Sequence, residues 1–188
     1  MLLISCFCAL RIGQAQVAVV DDSGATVRLL RPAQRIVALT PHAAEMIFAA
    51  GAGDRLVGTV DFSDHPAAAR RIPRVGSHAR IDLEAIVALR PDLILAWQSG
   101  NLPAHVERLR ALGYPVYVSQ PERLEDVANE LERLGILAGR ERAGQAAARA
   151  YRERLAQLRS RSGQRPRVRT VYQIWKQPLS AVGGRHLI

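Results

Sequence analysis

Cysteine is nearly absent from this chain: Cys6 and Cys8 are the only two, and both lie in the first ten residues. A fold built from the rest of the sequence has no disulfide and no cysteine-bound metal. Lysine is scarce as well, since Lys176 is the only one among 26 basic residues. The net charge of +9 therefore comes from arginines. They are scattered through helix-like segments such as 140–161 and interleaved with glutamate. No basic stripe carries interleaved aromatics, so nucleic acid is not an expected partner. Aromatics make up 5% of the chain, few enough that each position is informative. The apolar stretch from Met1 to Leu10 is too short to span a bilayer.

Catalytic signatures are lacking too. Gly51-Ala-Gly53-Asp-Arg-Leu56 misses the third glycine of a dinucleotide fingerprint, and it closes a helix instead of opening one. No phosphate loop ending in Gly-Lys-Ser/Thr occurs. The five histidines, His42, His65, His78, His105 and His186, show no His-x3-His or His-Glu-x-x-His spacing. No Gly-x-Ser-x-Gly elbow is found. A small α/β hydrolase using Asp64, His65 or His78 is the rival reading. It requires a nucleophile within hydrogen-bond reach of a base.

What is present is a globular composition, 48% apolar and 23% charged, over 188 residues that can bury a core. Residues 1–15 read as the remnant of a secretory signal, with Gly13-x-Ala15 as a cleavage site. Leu3-Ile-Ser-Cys6 also fits a lipoprotein box, so Cys6 is a candidate lipid anchor. Segment 17–30 reads as a β-hairpin around Asp21-Asp22-Ser23-Gly24. Strands and helices then alternate. Strands are expected at 35–39, 56–60, 93–97 and 115–119. Helices are expected at 41–50, started by Thr40 and Pro41, at 83–89, capped by Asp82, and at 103–112. This alternation implies an α/β fold with a parallel sheet covered on both faces. An amphipathic helix at 124–137 and a long one at 140–161 follow, then a new strand from Val168 to Ile174.

Ligands of parallel sheets bind at the carboxyl ends of the strands. Those ends are Thr40-Pro41-His42, Phe62-Ser63, Trp97-Gln98 and Ser119-Gln120. Phe62 and Trp97 at such a mouth suit a large, flat, partly apolar ligand. With no catalytic constellation beside them, they point to capture rather than chemistry. Glu84 in a first helical turn favours the helix dipole. Glu45 reads as structural and Asp64 as a turn cap.

Several stretches occur in an order that resembles one family. They are Arg35-Ile-Val-Ala-Leu-Thr-Pro-His-x-x-Glu45, Ala49-Ala-Gly-Ala-Gly53, Ser63-Asp-His-Pro66, Pro73-Arg-Val-Gly76, 82–95 and Leu112-Gly-Tyr-Pro-Val116. The chain resembles the substrate-binding proteins of ABC importers for iron-siderophore, haem and vitamin B12. Trp97, 172–179 and 184–188 look most like the cobalamin-binding branch. The resemblance implies two α/β lobes joined by one rigid long helix, with ligand held between them. Residues 16–136 would be the N-terminal lobe with its leading hairpin, 137–164 the linking helix, and 165–188 the start of an incomplete C-terminal lobe. Trp97, Phe62, His78, Pro41 and His42 would face the ligand from the first lobe, and Trp175 from the second. Glu84 would dock the lobe onto an arginine of the membrane permease through a charge-assisted contact. The implied protein is a monomeric periplasmic receptor for cobalamin with no cofactor of its own. Haem and ferric siderophore are the alternatives within the class. Phe62 has no hydroxyl to serve as an axial ligand of haem, whereas His78 has a ring nitrogen.

Overall fold

The computed structural model describes residues 16–77, 80–166 and 168–181. The expected hairpin forms from β1 (Val17–Val20) and β2 (Thr26–Leu29), paired antiparallel. Its turn is built by Asp21, whose Oδ1 accepts from the backbone N–H groups of Ser23 at 2.9 Å and Ala25 at 3.0 Å. Then come β3 (Ile36–Ala38), α1 (Pro41–Ala49), β4 (Leu56–Gly58), α2 (Leu83–Ala88), β5 (Leu93–Trp97), α3 (Pro103–Ala111) and β6 (Val116–Ser119). The strands form a parallel sheet in the order β4-β3-β5-β6. Short one-turn helices follow α1 at Gly53–Arg55 and precede α2 at Ala67–Arg71.

Helix starts follow local chemistry. Thr40 Oγ1 accepts from Ala43 N–H at 3.4 Å with Pro41 at the first helical position. Asp82 Oδ1 accepts from Ala85 N–H at 3.0 Å. Both supply an acceptor to a donor that the first helical turn leaves unpaired.

Alternation along the strands divides the core between two faces. Ile36, Ala38, Leu93, Leu95 and Tyr117 pack with α1, the hairpin and α4 (Leu124–Leu137). Val37, Leu39, Ile94, Ala96, Val116 and Val118 pack with α2 and α3. All of these are buried, which is why the strands read as continuous apolar runs.

The long helix α5 (Glu141–Ser162) packs back on α4. The boundary expected at 137 falls elsewhere: Leu137 is the last residue of α4 and is fully buried, and Gly139, at φ 59°, turns the chain toward α5. The crossing is close. A Cβ on Gly144 would lie 2.6 Å from the Leu131 carbonyl oxygen, and one on Gly135 would lie 3.0 Å from Gly144 Cα.

The strand expected at 168–174 is reduced to β7 (Gln173–Trp175), paired antiparallel with β8 (Ser180–Ala181). Val168 and Val171 are more than four-fifths exposed. Among the described residues no strand pairs with 168–172, and β-branched composition makes a strand only where a ladder receives it.

Candidate ligand-binding site

All four strands run the same way, so their carboxyl ends share one edge. Trp97 ends β5 there and is half-buried. Its backbone N–H donates to Asn101 Oδ1 at 2.7 Å, and Asn101 Nδ2 donates to the Leu39 carbonyl at 3.1 Å. Asn101 is itself buried, so it ties the Trp97 turn to the end of β3. The indole lies against the backbone of Gly100. A Cβ there would come within 1.7 Å of the ring. His42, in the first turn of α1, meets the indole edge-to-face with centroids 5.2 Å apart and planes at 86°. Gly100 and His42 therefore seat the ring, and Asn101 fixes the backbone that carries it.

Burial lowers the His42 pKa to about 4. The ring is neutral at neutral pH, and its Nε2 stands 3.4 Å from Thr40 Oγ1. A neutral ring at this place adds an aromatic surface without adding charge.

Phe62 follows β4 on the far side of β3. Its side chain is 81% exposed, and its backbone φ is 64°. A bulky residue in the left-handed region is strained, and the surrounding loop must hold it there. Asp64 N–H donates to the Phe62 carbonyl at 3.0 Å. Thr59 Oγ1 donates to Ser63 Oγ at 2.8 Å, and Arg74 Nη2 donates to the Ser63 carbonyl at 3.0 Å. Arg74 also pairs with Asp64 at 3.5 Å. The Asp64 carboxylate thus joins this loop through Arg74 rather than through a cap on the turn.

The structure brings Pro41, His42 and Trp97 together and sets Phe62 apart at the same edge. Glu84 is exposed in the first turn of α2, beside a depression that it lines with Asp61, Ser77 and Arg80. A separate polar depression beyond Trp97 is lined by Gln98, Ser99, Gln120 and Asp22. His78 and Cys6 lie outside the described residues, and Trp175 is described only as the last residue of β7. Gly100 and Asn101 were not singled out by sequence reasoning. Their signal was available in the run Trp97-Gln-Ser-Gly-Asn101: a glycine and a side-chain amide directly after an aromatic at a strand end.

Fold and site together define a class: a parallel α/β lobe with an ordered aromatic pair, Trp97 and His42, at its strand ends. The family model described as periplasmic binding protein matches residues 36–183, and the chain belongs to that family. The vitamin B12-binding protein of Vibrio cholerae serotype O1 is 39% identical over 155 residues, covering 82% of this chain and 56% of that protein. The crystal structure of the periplasmic vitamin B12 binding protein BtuF of Vibrio cholerae superposes with a TM-score of 0.75 at 40% identity, covering 79% of this chain and 58% of that one. A periplasmic heme binding protein from Pseudomonas aeruginosa superposes with a TM-score of 0.62 at 29% identity, covering 70% of this chain and 50% of that one. The chain spans about 56% of the length of the curated relative. Among the described residues no helix is long and apolar enough to cross a membrane.

Proposed function

We propose that this protein binds cobalamin at the carboxyl edge of its parallel sheet and delivers it, in the periplasm, to the permease of an ABC importer. The observation that carries the reading is the held indole of Trp97, laid on Gly100 and edged by the neutral ring of His42. A preset flat aromatic loses little rotamer freedom on contact with a large ring system, so most of its buried area goes into affinity. Pro41 and Phe62 widen the same edge. His78 and Trp175 are the further cleft residues in this reading. Glu84, exposed on α2, is the docking carboxylate for a permease arginine. The receptor acts as a monomer, performs no chemistry and needs no cofactor besides its cargo. Likeness to proteins named for vitamin B12 supports cobalamin over other cargo.

Likeness to a heme binding protein favours haem as the second reading. Against it, Phe62 stands at the site edge without an oxygen to offer iron. Calorimetric titration with cyanocobalamin, with haemin in parallel, tests the proposal. Stoichiometric heat with cyanocobalamin alone is expected. Heat with haemin alone would transfer the reading to haem, and no heat with either would overturn capture by this chain.

A further inference from the structure

A buried charge cluster lies at the outer strand of the sheet, where the leading hairpin meets β6 and α4, and its Asp22 and Gln120 also line the depression beyond Trp97. β6 is the outer strand of the sheet, and its outward backbone groups need partners. The hairpin turn supplies them. Asp21 Oδ2 accepts from Val118 N–H at 3.0 Å, Asp22 Oδ2 accepts from Gln120 N–H at 2.6 Å, and Asp22 N–H donates to the Val118 carbonyl at 3.0 Å. Arg133 of α4 fastens the same turn. Its Nη2 pairs with Asp22 Oδ1 at 2.5 Å, its Nη1 donates to the Val20 carbonyl at 3.3 Å, and its guanidinium lies 5.6 Å over the Tyr117 ring.

Glu130 sits beneath this arrangement, one helical turn before Arg133 and 1% exposed. The groups that act on it are Ser119 and Tyr117 from β6, Asp22 from the turn, and Arg133 from its own helix, and Asp21 faces Tyr117 in the same cluster. Of the neighbouring helices, α5 has two arginines turned to other partners, Arg152 on Glu132 and Arg159 on Glu125. α1 carries His42 and the exposed Glu45. Arg133 Nε is buried and has no hydrogen-bond partner, so one guanidinium N–H remains for a second carboxylate.

We propose that Glu130 is a proton-controlled latch for the hairpin turn. Protonated, it leaves Arg133 to Asp22 and the turn stays clamped on β6. Ionised, it competes for Arg133, repels the Asp22 carboxylate, and favours an opening of the turn that lets water reach it. Burial, opposed by the Ser119 hydroxyl and by Arg133 and assisted by Asp22, pushes the Glu130 carboxyl up to about 7 from 4.5. Opening that hydrates the group returns it toward the ordinary value. The closed turn holds a proton that the open turn has lost, so opening rises with pH across that interval and levels off above it. The slope is about tenfold per pH unit and the whole span about two orders of magnitude.

The latch does not depend on cobalamin binding, and no ligand is needed to observe it. Amide hydrogen exchange of Val118 and Gln120 in the full chain, corrected for the intrinsic pH dependence, reads the latch directly. Opening of these two amides is expected to grow about tenfold per unit from pH 5 to 7 and then flatten. In Glu130→Gln it should be flat throughout. Amides of the central strands, such as Leu39 and Ile94, should show no such slope. A flat profile in the native chain, an unchanged slope in Glu130→Gln, or a parallel slope at Leu39 and Ile94 would each overturn the latch. If Glu130→Gln does not fold, the carboxyl carbon resonance of Glu130 in the native chain decides. Titration near 7 supports the latch, and titration at the ordinary carboxylate value overturns it.

Discussion

Phe62 pays for its position at the level of one residue. Its left-handed backbone costs about 1–2 kcal/mol, and its side chain buries too little to recover that within the folded chain. Phe62→Gly should therefore stabilise the protein by about 0.5–1 kcal/mol, after the added flexibility of glycine in the unfolded chain is counted. The same change should weaken ligand binding. Denaturant unfolding and calorimetry on one variant would show the two effects with opposite sign. Gly100→Ala should act the other way: the added methyl collides with the Trp97 ring, so the indole must leave its seat. Cyanocobalamin affinity is expected to fall at least tenfold with a smaller change in midpoint of unfolding, read by titration and melting side by side. Trp97 and Phe62 were legible as site candidates because an aromatic at the end of an apolar strand has few other places to point. The strain at Phe62 was not legible. It depends on bonds from Thr59 and Arg74, and Arg74 lies twelve positions away in the chain.

At the scale of the element, α4 and α5 come closest where Gly135 meets Gly144. Gly144→Ala should drive the helices apart and destabilise the fold by about 1–3 kcal/mol, as overpacking does. Chemical denaturation measures it, with Ala146→Gly at an exposed position of the same helix as a control for helix propensity. The alternation of strands and helices from 35 to 137 was readable because each buried strand is short, apolar and bounded by a cap, a proline or a glycine. The limits of α4 were readable from its amphipathic period. The extent of β7 was not. Val168 and Val171 have the right composition, but a strand is a property of pairs, and one sequence segment does not name its partner.

For the molecule as a whole, two buried titrating groups oppose each other. His42 has a folded value of about 4 against 6.5 unfolded, so its contribution is lost as pH falls through that range. Glu130 is raised to about 7, so its contribution is lost as pH rises. Between about pH 5 and 6.5 the two nearly cancel in global stability. Removing one should uncover the other. Relative to the native chain, His42→Gln should lose stability as pH rises across this window and Glu130→Gln should gain it, each by about 1.4 kcal/mol per unit at most. Urea unfolding at pH 5 and 6.5 measures both. No part of this balance was visible in sequence, because Glu130 looks like any polar residue of an amphipathic helix until the hairpin turn is seen to cover it. The glycine joint has a mechanical side as well. Only Gly144 and Ala148 of α5 are buried, so close packing fixes its first turns, and beyond them it is held by Tyr151 and by the surface pairs Arg152–Glu132 and Arg159–Glu125. It behaves as a beam clamped at one end and tethered to α4 along its length by solvent-exposed ion pairs. From Ala148 to Ser162 it extends about 21 Å at 1.5 Å per residue, so a tilt of about 5° at the clamp moves the far end by about 2 Å.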